Sequence, residues 1–85
     1  MQKFPILNES QVVVLHAEVS TGHVLDINLS LAISDTQIVF QIFESLNEAL
    51  DHINQLKGNN PNIEFVIYDS NEKFIRYIGY NQKNN

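Results

Sequence analysis

Few residues in this chain are able to do chemistry, and their spacing is the first clue to function. His16 and Asp26 lie on two neighbouring stretches that alternate apolar and polar residues, with Glu18 two positions beyond His16. A histidine oriented by a carboxylate is half of a nucleophilic triad, in which the imidazole serves as general base. The other half is a placed nucleophile. Ser20 and Ser30 are close in sequence, but neither sits in a glycine-flanked elbow. A cross-strand polar pair accounts for His16 and Asp26 without catalysis. His16, His23 and Asp26 could also be pictured as metal ligands around the first turn. No recognised ligand spacing is present, and strand parity points His23 away from His16. His52 follows Glu48 by four residues on the polar side of a helix, where an ordinary helical pair explains it. Asp69, Asn71 and Glu72 echo a calcium loop, but Phe74 stands where that loop needs glycine, and no glutamate closes it. Three glycines in the whole chain leave no phosphate-cradling loop of the usual kinds. These residues predict no catalytic site, no metal and no cofactor.

Composition narrows the class further. Eighty-five residues make one domain, 1–85, with a lead-in over 1–10 and a tail over 81–85. The formal charge is −5, and the five basic residues Lys3, Lys57, Lys73, Arg76 and Lys83 are scattered. No basic stripe forms from them, which argues against a nucleic-acid partner. There is no cysteine, so neither disulfides nor thiolate zinc can staple the fold. No stretch approaches the apolar length of a membrane span. Pro5 and Asn8 interrupt the apolar residues of the start, so no secretory signal is expected and a cytoplasmic address follows.

The elements that must position these groups are legible from period and punctuation. Ser45 with Glu48 forms a capping box, and Leu46, Ala49, Leu50, Ile53 and Leu56 recur on one helical face. Lys57, Gly58 as a left-handed cap, and Pro61 mark the end of that helix. Strands are predicted over Gln11 to Val19, Val24 to Ile33, Gln37 to Phe43, Ile63 to Tyr68 and Phe74 to Tyr80. The expectation is an α+β domain: a mostly antiparallel five-stranded sheet in the order βββαββ, with one helix on one face. The strands flanking the helix should run parallel. For the first hairpin, a three-residue loop ending in Gly22 pairs Ala17 with Leu25 and His16 with Asp26. Val13, Leu15, Ala17 and Val19 then face the helix.

That register leaves an uncovered sheet face too apolar for water. Val12, Val14, Val24 and Val39 belong to it, joined by Val66, Tyr68 and Tyr77 or by Phe74, Ile78 and Tyr80. His16, Asp26 and Arg76 would form its rim. A contiguous apolar face on a small acidic domain points to a non-enzymatic interaction module, binding a protein partner or a second copy of itself as a homodimer. Two other readings remain: a small-ligand-binding regulatory domain, and an inhibitor or immunity-type protein that takes a basic partner.

Overall fold

The computed structural model describes residues 3–79; the predicted tail and Tyr80 lie outside the described residues. Six elements follow one another: β1 (Val12–Glu18), β2 (Val24–Leu25), β3 (Phe40–Phe43), α1 (Leu46–Asn59), β4 (Ile63–Tyr68) and β5 (Phe74–Ile78). They form one five-stranded sheet of order β2-β1-β4-β5, with β3 also paired to β1. Every strand pair is antiparallel. Since β3 and β4 are both antiparallel to β1, they run parallel to each other with β1 between them. The α+β class and the order βββαββ are as the sequence predicts.

The first hairpin is not. His16 pairs with Leu25 and Ala17 with Val24, so the loop holds Val19, Ser20, Thr21 and Gly22. Glu18 N–H donates to His23 O (2.8 Å) and Gly22 N–H donates to Glu18 O (2.7 Å). Gly22 does take positive φ, at 76°, but in a loop one residue longer than expected. A one-residue slip sends every side chain to the other face. The sheet is therefore turned over relative to expectation: Val12, Val14 and His16 face the helix, and Val13, Leu15 and Ala17 face away. Two physical causes stand out. Val12, Val13 and Val14 are all buried, and a strand covered on both faces carries no alternation to orient it. In addition, the long second strand does not exist, because the Asp26 carboxylate accepts from the Asn28 and Ser30 amides (2.8 and 3.0 Å) and turns the chain. Leu29 takes φ 66°, and Leu31 returns to bridge Leu25.

The helix begins as expected. Ser45 is its N-cap and accepts from the Glu48 amide at 3.2 Å, while the Glu48 carboxylate reaches back to the Glu44 amide. It ends later than expected. Gly58 stays helical, and Asn60 closes the helix through its backbone and side-chain N–H groups, both donating to Leu56 O. Ala49 and Ile53 are buried, and Leu46, Leu50 and Leu56 pack around a core of Val12, Val14, Leu25, Ile63, Phe65 and Ile67. Each large side chain buried here contributes roughly 1.5–3 kcal/mol before conformational entropy is subtracted.

Two local substitutions check this account. Gly22→Ala meets no neighbouring atom, so its whole cost is the left-handed backbone, about 1 kcal/mol. Ser45→Ala should cost about 1 kcal/mol, with Asn47→Ala on the exposed side near zero, as read by urea denaturation.

Candidate functional site

The register lays out the sheet face away from the helix in rows. Ile42, Val13, Tyr68 and Phe74 form one row across β3, β1, β4 and β5, and Phe40, Leu15, Val66 and Tyr77 form the next. Phe4 packs edge-on against Phe40 (5.6 Å) and Tyr68 (6.1 Å), which flank β1 on either side. Its ring therefore roofs the middle of the face, and Val13 beneath it is fully buried. Ser70 Oγ donates to Glu9 O (3.3 Å), tying the lead-in to the β4–β5 turn. The margins stay open: Ile42 is 44% exposed, Tyr77 46% and Phe74 61%. The Tyr77 hydroxyl donates to Glu64 Oε1, and this bond holds its proton and raises the phenol pKa. The Tyr77 side chain lies over Gly79, where a Cβ would meet its hydroxyl oxygen at 2.7 Å and its ring at 2.9 Å.

The predicted interface is thus only partly assembled. Val66, Tyr68 and Tyr77 share this face, and Val24, opposite Ala17, has the same parity. Phe74 joins them, while its expected companion Ile78 packs on the core side. Val12 and Val14 lie in the core beneath the helix, and Val39 is buried beside β3. Of the expected rim, His16 and Asp26 are buried, and Arg76 is exposed opposite Ile67, on the helix side of the sheet. The inverted register accounts for Val12, Val14 and His16, and the Asp26 turn removes Asp26 from β2.

His16 and Asp26 do not meet. His16 instead places Nε2 3.0 Å from Nε2 of His52 on α1, between Phe65 and the helix. His52, expected in solvent, is half-buried against Phe43. Its position was legible: three after Ala49 and four before Leu56, it continues the apolar stripe. Burial, with the His52 charge nearby, pushes the His16 pKa down to about 4, and burial lowers His52 as well. Two imidazoles alone make a poor metal centre, and no cluster of three His, Cys, Asp or Glu ligands exists among the described residues.

Asp26 anchors the other polar cluster. Besides the two amides, its carboxylate accepts from Gln37 Nε2 at 2.7 Å. Gln37 also donates to Leu31 O and accepts from the Ile33 and Ser34 amides. The Gln37 bond foremost, with the Ser30 and Asn28 amides, holds the Asp26 carboxyl below its ordinary range. Every bond here is spent on shaping residues 26–37, which makes Asp26 a structural carboxylate. Beside it, His23, Val24, Ile33, Ser34, Gln37 and Val39 help line an open hollow of about 470 Å³.

Two outcomes follow from these placements. Val14→Glu puts a charge into the core under Ile53 and should unfold the domain, a loss of several kcal/mol visible by circular dichroism. The imidazoles set the acid limb of stability. Their folded pKa values lie below the unfolded 6.5, so the unfolded chain binds more protons as pH falls from 6.5. Stability is complete above that pH and is lost toward pH 4, with His16 alone accounting for about 3 kcal/mol. Melting temperatures across that range check the sign.

No protein-family model, no curated protein and no solved structure matches the chain, which leaves its own geometry to carry the functional reading.

Proposed function

We propose that the chain is a non-enzymatic protein–protein interaction module that binds through the margins of the sheet face away from the helix. The observation carrying this reading is the exposure of Ile42, Phe74 and Tyr77 around the Phe4 roof. Large apolar and aromatic side chains exposed together on one rigid face are what interfaces use. A second copy of the chain is the first partner to test. The net charge of −5, with Glu64 on the same face, would also suit a basic partner, as for an inhibitor or immunity-type protein. The absence of a placed nucleophile beside either polar cluster, among the described residues, supports a binding role over a catalytic one.

The hollow of about 470 Å³ supports a second reading, a small-ligand-binding regulatory domain, since its size falls in the range of ligand sites. A ligand at a hundred times its Kd adds about 2.7 kcal/mol of stability, which a thermal-shift screen with metabolites would register.

The module reading is tested by sedimentation and by capture of host proteins, using wild type and the double variant Ile42→Glu, Phe74→Glu. The variant should keep the wild-type circular dichroism spectrum, because both side chains are exposed, and should lose association. A wild-type chain that stays monomeric at millimolar concentration removes self-association. Equal capture of host proteins by both chains removes the module reading altogether.

A further inference from the structure

The core contains two polar atoms that the contacts described so far leave unexplained. His16 Nδ1 and Gln41 Oε1 are both buried, and neither has a hydrogen-bond partner. Buried polar atoms are paired in almost all folded proteins, so two orphans on adjacent strands call for a common explanation. The register supplies one. Gln41 pairs with Val14 across β1 and β3, and His16 is the next residue of β1 on the same face. Such diagonal neighbours lie about 7–8 Å apart at Cα, within reach of long side chains. One atom is a potential donor and the other is an acceptor only.

We propose that Gln41, His16 and His52 form one directed hydrogen-bond chain linking β3, β1 and α1, and that it acts as an acid-released latch holding the helix on the sheet. His16 carries its proton on Nδ1 and donates it to Gln41 Oε1, directly after a side-chain rotation or through one water. Its Nε2 is then a bare lone pair. The 3.0 Å contact requires one donor, so His52 Nε2 carries the proton and donates it to His16. His52 Nδ1 is left bare. A first proton arriving there keeps the chain intact, since His52 still donates from Nε2. A second, on His16 Nε2, sets two N–H groups head to head and breaks the contact between helix and sheet.

The surroundings offer no rescue for the charged form. β4 presents Ile63, Phe65 and Ile67 to this site, β2 presents Leu25, and β3 presents Phe43 beside Gln41. On β1 the next residue of the same parity is Glu18, whose carboxylate accepts from the Thr21 hydroxyl, with His23 across from it. On α1, Glu48 turns back to the Glu44 amide, and Asp51 and Glu48 are both exposed; Lys57 lies more than a turn beyond His52. Among the described residues neither imidazole bonds a carboxylate. Protonation therefore brings uncompensated charge into an apolar layer.

Long-range proton–nitrogen NMR of the imidazoles at neutral pH tests the direction of the chain. The expected result is His16 protonated at Nδ1 only and His52 at Nε2 only. Melting temperature between pH 6.5 and 4.5 tests the latch. His52→Gln keeps a donor for His16, cannot titrate, and can turn its amide oxygen toward a protonated His16 Nε2, so its fall over that range should be smaller than that of wild type. Gln41→Leu removes the acceptor and should shift His16 to the Nε2-protonated form. A wild-type His16 protonated at Nε2 overturns the directed chain, and equal pH dependence in wild type and His52→Gln overturns the latch.

Discussion

The whole structure depends on β1 being enclosed from every side. Its one edge is shared by β3, along Val12 to Leu15, and by β2, along His16 and Ala17, while β4 pairs along the other edge. One face lies under α1 and the other lies partly under Phe4. In a domain of this size few residues can be fully buried, and Val13, Val14 and His16 use three consecutive or near-consecutive positions of one strand. With the central strand satisfied on both edges and both faces, the remaining strands need only one covered face each. That is why the alternation in β4 is clean: Ile63, Phe65 and Ile67 are buried and Glu64, Val66 and Tyr68 are half-exposed.

The same enclosure explains which parts of the fold were legible beforehand. Helix α1 and strand β4 each meet solvent on one side, so period and capping identify them, down to Ser45 as the cap. β1 offers no such contrast, and in the sequence only the turn orients it. Gly22 signalled a left-handed residue correctly but could not tell a three-residue loop from a four-residue one. The alternation of Leu25, Ile27, Leu29, Leu31 and Ile33 was a false signal, because Asp26 captures the amides of Asn28 and Ser30 before a strand can form. Short side chains that compete for backbone amides outrank periodicity at such a point. Nothing local marks Phe4 as more than lead-in; Phe40 and Tyr68, brought to either side of β1 by the sheet, give it a seat.

Function follows the same division. The polar groups that looked reactive in sequence are spent on structure: Asp26 shapes the segment that leads to β3, and His16 and His52 join sheet to helix across the core. Apolar groups, in turn, remain at the margins of the opposite face, where Ile42, Phe74 and Tyr77 surround Phe4. Those three exposed side chains are the observation on which the proposed interaction surface rests. The imidazole contact and the opposite sheet face share β1 as their support, so the proposed latch and the proposed interaction surface are joined through one strand.

Residue-resolved hydrogen exchange of the β1 amides tests the central place of this strand most directly. The account predicts that amides from Val13 to Ala17 exchange only through global unfolding, with protection matching the full stability of the domain, while β5 amides exchange faster through edge fraying. β1 amides that exchange as fast as those of β5 would contradict it.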